Sequence, residues 1–162
     1  MRAKHAPKVM AIASAGGHWV QLMRLVPAWD GCNVIYVTTN PGFRKAVEAA
    51  ATARTQDKPR FFSVAEANRW QKARLVLSFA QIAWVILTTW PDVIVTTGAA
   101  PGFFAVWIGK RLGMRTVWID SIANAEEISL SGQKVGKHAT LWLTQWEHLA
   151  QAEGPYYRGS VL

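Results

Sequence analysis

The chain of 162 residues has the length of about one domain, long enough to bury a core of its own. Its one cysteine, Cys32, excludes an internal disulfide and a cysteine-based metal site, which fits a reducing compartment, and the four histidines show no paired ligand spacing, so neither a metal nor a cofactor is expected. The net charge of +8 is uneven, with twelve Lys and Arg against four acids in residues 1–74 and six of each in 75–162, so the first half is either a solvated basic surface or a face for an anionic partner.

Residues 1–8 read as a basic, flexible tag, because the apolar run that follows is too short for a secretory signal. Val9 to Ala13 is a continuous apolar run of the kind a buried parallel strand needs, and 18–28 follow with Trp19, Leu22, Met23, Leu25 and Val26 at helical spacing. The plan repeats as strand Val34 to Thr38, a Pro-Gly turn and a helix from about Phe43 to Ala51. "RFFSV" is a third strand, bounded by Pro59 and Asn68. Further on, Asp92 to Thr96 is a strand, Pro101 opens a helix that Gly113 ends, "RTVWID" is a strand, "SGQKVGKHAT" a short helix, "LWLTQ" a strand and "YYRGSVL" an extended tail. This alternation predicts a single α/β domain over 9–162, a doubly wound parallel Rossmann-like sheet with its ligand crevice at the carboxyl ends of the strands. The loops at 14–18, 38–43, 97–102 and 120–127 would surround that crevice.

Residues 73–90, "ARLVLSFAQIAWVILTTW", are apolar almost all round, with one narrow polar stripe through Arg74, Ser78, Gln81 and Thr88. Three placements are open: buried between the sheet and a partner, lying among lipid headgroups with Arg74, Trp84 and Trp90 at the boundary, or spanning a bilayer. A span is disfavoured, because the sheet needs this segment as the crossover into the strand at Val93.

Ser14, Gly16 and Gly17 stand between a strand and a helix, where glycines let the backbone approach a phosphate and the helix N-terminus offers free N–H groups. Neither the P-loop lysine nor the dinucleotide glycine spacing is present, and a tight turn with no ligand is the plainer alternative. His18 follows directly and suits a general base acting on a hydroxyl, or a phosphate contact. Thr97, Gly98 and Gly102 form a second small-residue loop before a helix, so that the two loops together would bracket a diphosphate. Asp120, at a strand end, is the second candidate for acid/base work or for binding a hydroxyl.

"SAGGHWVQLMRL", "VTTGAAPG", "IDSIANAEEISLSG" and "YYRGSVL", in this order, resemble one family. It is the subunit family of heteromeric GT-B glycosyltransferases, which holds the membrane-anchoring half of dolichyl-diphosphate N-acetylglucosaminyltransferase and bacterial exopolysaccharide or capsule homologues. The resemblance implies the acceptor-side, amino-terminal half of a GT-B enzyme, working on a polyprenyl-diphosphate-linked saccharide at the cytoplasmic face of the inner membrane. It also implies a separate C-terminal-type subunit that carries the UDP-sugar site, and a chain inactive or weak alone as part of a hexosyltransferase. Gly16, Gly17 and His18 match the family's glycine-histidine motif; Thr97, Gly98 and Gly102 match its second glycine loop. Where eukaryotic members carry an amino-terminal anchor, this sequence has the basic tag, so membrane contact would fall to basic charge and the 73–90 helix. Ala15 replaces a further glycine of many relatives. The competing expectation is a non-catalytic scaffold that recruits the partner enzyme to the membrane. Nucleic acid is not an expected partner, since no aromatic-basic recognition motif appears.

Overall fold

The computed structural model describes residues 6–67 and 70–161; most of the basic tag, the boundary residue Asn68 and the terminal Leu162 lie outside the described residues. Seven parallel strands form one sheet in the order β3-β2-β1-β4-β5-β6-β7, with β1 Lys8–Ala13, β2 Asn33–Thr38, β3 Arg60–Ser63, β4 Val93–Thr96, β5 Arg115–Ile119, β6 Leu141–Thr144 and β7 Tyr156–Tyr157. Strand order reverses direction between β1 and β4, where Val9 pairs with Val93 and Ile12 with Thr96. This is the doubly wound, Rossmann-like sheet expected, and a topological switch point of this kind opens a crevice at the strands' carboxyl ends. The tail, expected to be extended, also joins the sheet: Tyr156 and Tyr157 form β7 beside Leu143 and Thr144.

Two helices cover one face of the sheet. They are α1, Gly17–Arg24, and α2, Arg44–Ala53, which bury Trp19, Leu22 and Val47 against Ala11, Ala13 and Tyr36. The helix expected over 18–28 is shorter because Pro27 cannot continue an α-helical ladder, and Val26–Trp29 tightens into a 3-10 turn. Trp19 stacks on Phe43 at 5.2 Å between ring centres, which ties the first βα unit to the second. Burial pushes the Tyr36 phenol above its ordinary value, so it stays a neutral partner for the Trp29 indole N–H at 3.0 Å.

The opposite face carries α3, Lys72–Thr89, α4, Ala99–Arg111, and α5, Leu130–Val135. Ile82, Val85 and Ile86 of α3 pack with Ala105 and Ile108 of α4 onto Met10, Ile12, Ile35, Val37 and Ile94. The 72–89 helix is therefore the crossover between β3 and β4, although it is long and apolar enough to cross a membrane by length and composition. Its polar stripe is not a solvated face. Ser78 is buried, the Gln81 side-chain oxygen accepts the Ala65 N–H at 2.7 Å, and only Arg74 and Thr88 of the four are exposed. The face left to solvent is apolar instead, with Val76, Leu77, Trp84 and Leu87 each half or more exposed.

Helix α4 seats closely on the sheet at two glycines. A Cβ on Gly102 would stand 2.1 Å from Thr96 Oγ1, and one on Gly109 would stand 2.5 Å from Ile94 Cδ1. Gly102, expected at a phosphate, is thus buried packing between α4 and β4. Gly102→Ala and Gly109→Ala are each expected to lower stability by ~1–3 kcal/mol through overpacking, measured as the shift of the urea midpoint at constant slope.

Candidate functional site

The predicted loops at 14–18 and 97–102 meet at the switch point. Gly16 takes φ +85° and ends the loop after β1; Gly98 takes φ +122° and ends the loop after β4. Each is the N-cap of the helix that follows, and neither α1 nor α4 has a side-chain cap or an acid in its first turn. Both helices therefore present uncapped N–H groups at the same sheet edge, where the helix dipole favours negative charge. Gly16 and Gly17 are exposed, and a Cβ on either would meet nothing within 4 Å, so the backbone there is open to a ligand's approach.

His18 and Thr97 join the loops by hydrogen bonds in both directions. The Thr97 hydroxyl donates to the His18 carbonyl at 2.6 Å, and His18 Nδ1 lies 2.8 Å from the Thr97 carbonyl. A carbonyl oxygen can only accept, so Nδ1 carries the proton and Nε2 is the free ring nitrogen in the neutral imidazole. Gly98 makes this possible: a Cβ there would stand 3.0 Å from His18 Cε1 and 3.1 Å from Nδ1. Beneath the pair, the Gly98 N–H donates to Thr96 Oγ1 at 3.1 Å. Ser14 is half-buried at the start of the first loop, and the neighbouring Ala15 N–H donates to Thr39 Oγ1 at 3.0 Å.

A cavity of about 410 Å³ opens from this pair. His18, Gly98 and Ala99 form one wall; Asp120, Ser121, Asn124, Glu127, Ser129 and Ser131 line the rest. The structure thus brings His18 and Asp120 to one recess, as expected, but Asp120 is 2% exposed and heavily engaged. Its carboxylate accepts the Ser121 N–H at 2.9 Å, the Ser129 N–H at 3.2 Å, the Ser129 hydroxyl at 3.0 Å and the Asn124 amide. Gly132 lets it sit there, since a Cβ at 132 would lie 2.2 Å from Asp120 Oδ2. The acid consequently folds the 120–129 loop around itself, and Ser121, Asn124 and Ser129 of that loop line the cavity.

Several residues were missed in the sequence. Gln21, on α1, donates to the Ser121 hydroxyl at 3.0 Å and accepts the Ile122 N–H at 3.0 Å, anchoring the loop from the opposite side of the sheet edge. Ser129 is the N-cap of α5, accepting the Gly132 N–H at 2.9 Å, and this was readable as a serine three residues before a glycine at a helix start. Among the described residues no group of three or more His, Cys, Asp or Glu gathers as a metal site would. A separate recess of about 210 Å³, between Lys8, Cys32, Lys58 and Arg60, lies at the other end of the strands, away from the glycine loops.

No protein-family model matches the chain. In sequence it is 24% identical over 170 aligned positions to the UDP-N-acetylglucosamine transferase subunit ALG14 of Yarrowia lipolytica, covering 93% of this chain and 79% of that protein. In fold it is similar to MurG of Acinetobacter baumannii (TM-score 0.69, 10% identity, 95% of this chain, 45% of that one). It is likewise similar to a UDP-N-acetylglucosamine 2-epimerase from Rickettsia bellii (TM-score 0.70, 18% identity, 97% of this chain, 46% of that one). The chain spans less than half the length of either solved structure. Sequence and fold together bear out the resemblance read from the motifs, to the subunit family of heteromeric GT-B glycosyltransferases.

Gly98→Ala is expected to displace the His18 ring and unfix its tautomer, whereas Gly17→Ala, with open space at its Cβ, leaves both in place. NMR of ¹⁵N-labelled histidine checks this: the Nδ1–H form of His18 persists in Gly17→Ala and is lost in Gly98→Ala.

Proposed function

We propose that the chain is the acceptor-side, membrane-associating subunit of a two-component inverting glycosyltransferase, which extends a polyprenyl-diphosphate-linked saccharide with a sugar from a UDP donor. The observation that carries this reading is the His18–Thr97 pair between two uncapped helix N-termini at the switch point. The sequence likeness to a named transferase subunit supports it across nearly the whole chain. The donor site belongs to a separate polypeptide, which closes the crevice from the side opposite the glycine loops.

In this reading the first turns of α1 and α4 take the acceptor's diphosphate, through the N–H groups of Gly17 and His18 and of Ala99 and Ala100. The acceptor sugar lies along Ser121, Asn124 and Ser129. Its hydroxyl oxygen attacks the anomeric carbon of the donor sugar, His18 Nε2 takes the hydroxyl proton, and the bond to UDP breaks with its electron pair leaving on the diphosphate. Asp120 is a positioning residue, since its oxygens are held by the loop.

Membrane contact falls to the outer face of α3. A helix after a parallel strand begins at the strand's carboxyl edge, so Lys72 and Arg74 stand at the edge that carries the crevice, with Val76 and Leu77 next in line. Trp84 and Trp90 are exposed further along. The Arg60 guanidinium lies over Phe62, which meets Trp84 edge to face, and Arg111 lies 3.4 Å from the Trp107 ring centre. Neither α3 nor α4 contains an acidic residue. Inserted apolar surface with flanking cations is the two-signal pattern of peripheral attachment to anionic lipid, here at the cytoplasmic face of the inner membrane.

His18→Ala, assayed with the intact partner on a lipid-linked acceptor, is expected to lower turnover by ~10²–10⁴-fold; unchanged turnover would leave only the scaffold role. Leu77→Ser combined with Leu87→Ser is expected to abolish co-sedimentation with anionic vesicles. Lys72→Glu with Arg74→Glu weakens it in a salt-dependent way. Binding that survives both pairs would overturn the membrane assignment.

A further inference from the structure

The 120–129 loop is tied to the carboxy-terminal tail through two buried glutamines, and nothing in the chemistry above uses them. Gln145, just after β6, is 4% exposed, and Gln21, on α1, is 6% exposed. The Gln145 side-chain oxygen accepts the Val161 N–H at 2.9 Å. Its amide nitrogen donates to Gln21 Oε1 at 2.7 Å and to the Asp120 carbonyl at 3.0 Å. Gln21 Oε1 also accepts the Ile122 N–H, and its own nitrogen donates to the Ser121 hydroxyl. On the far side, Arg24 of α1 donates to the Val161 carbonyl at 2.9 Å.

The orientation of this pair is dictated by its neighbours. With the Gln145 amide turned over, an oxygen would face two acceptors, Gln21 Oε1 and the Asp120 carbonyl, while an NH₂ group would face the Val161 N–H. All three contacts fail together, so the tail's N–H at 161 and the two acceptors on the loop side favour the same amide orientation, and the Gln145 oxygen keeps its partner only while the tail is seated. In a buried site, partly satisfied groups are costly, which makes the arrangement close to all-or-none.

We propose that Gln21 and Gln145 are positioning residues that couple the seat of the 158–161 tail to the shape of the acceptor loop, so that the cavity beside His18 is formed only while the tail is docked. As a statement about substrate this rests on the glycosyltransferase reading; as a statement about the loop it does not. The coupling would run through contiguous hydrogen bonds from Val161 through Gln145 and Gln21 to Ser121 and Ile122.

The test compares the full chain with Gln145→Glu, which puts an acceptor oxygen where two acceptors wait, and with Val161→Pro, which removes the tail's N–H donor and fixes φ at that position. Val47→Ala, at a core position in α2, is the destabilised control. Amide hydrogen exchange at Ile122 and Ala123 is expected to quicken by about tenfold or more in both variants, with β1 and β4 unchanged and the control showing no such local effect. Should Gln145→Glu fail to fold, Val161→Pro alone decides. Unchanged loop exchange in Val161→Pro, or the same acceleration in Val47→Ala, overturns the proposal. With the partner present, Val161→Pro is expected to raise KM for the lipid-linked acceptor several-fold and leave kcat within about twofold. A wild-type pair that transfers no sugar defeats the functional reading and leaves the exchange result to stand by itself.

Discussion

The reciprocal bond between His18 and Thr97 is the constraint on which the site depends. Strands β1 and β4 diverge in connectivity, one leading outward to β2 and the other to β5, and their pairing ends at Ile12 and Thr96. Beyond that point the two loops are joined by one side chain reaching each way, Thr97 to the His18 backbone and His18 to the Thr97 backbone. Because each partner on the other loop is a main-chain carbonyl, the join does not rely on a charge that salt can screen. Because one donor is the imidazole itself, the same contact that closes the crevice decides which ring nitrogen is available for chemistry. Gly98 leaves the room in which the His18 ring sits.

Helix α3 is apolar on its outer face as well as on the face that meets the sheet. Two polar side chains turn inward: Gln81 accepts the Ala65 N–H from the chain between β3 and α3, and Ser78 is buried. With Ile82, Val85 and Ile86 already filling the sheet side, the remaining apolar residues are left facing water. A contiguous apolar face bordered by Arg-aromatic contacts is more stable when covered, and the cations at its rim decide what can cover it.

The βα units were legible because parallel strands buried on both faces read as unbroken apolar runs, and turns rich in glycine and proline punctuate them. What was not legible depended on partners distant in the chain. A helix apolar nearly all round has little periodic contrast, so residues 73–90 could not announce which side met the sheet. Gly102 looked like its neighbours in a phosphate loop, and only the closeness of Thr96 shows that it serves packing. Asp120 was placed correctly at a strand end, yet its four hydrogen-bond donors come from residues whose loop conformation no local pattern specifies. Gln21 and Gln145, more than a hundred positions apart, gave no sign of each other at all.

Both margins of the sheet are brief. Strand β7 contributes two residues, and β3 four, the latter entered from Pro59 and led by the exposed Arg60. Margins this short are poor templates for strand addition, which needs a run of free main-chain donors and acceptors. Neither margin offers a companion a long ribbon of free main-chain groups to pair with. Side chains and loop surfaces are what the chain chiefly displays for contact, and these discriminate by shape where an open ribbon would be indiscriminate.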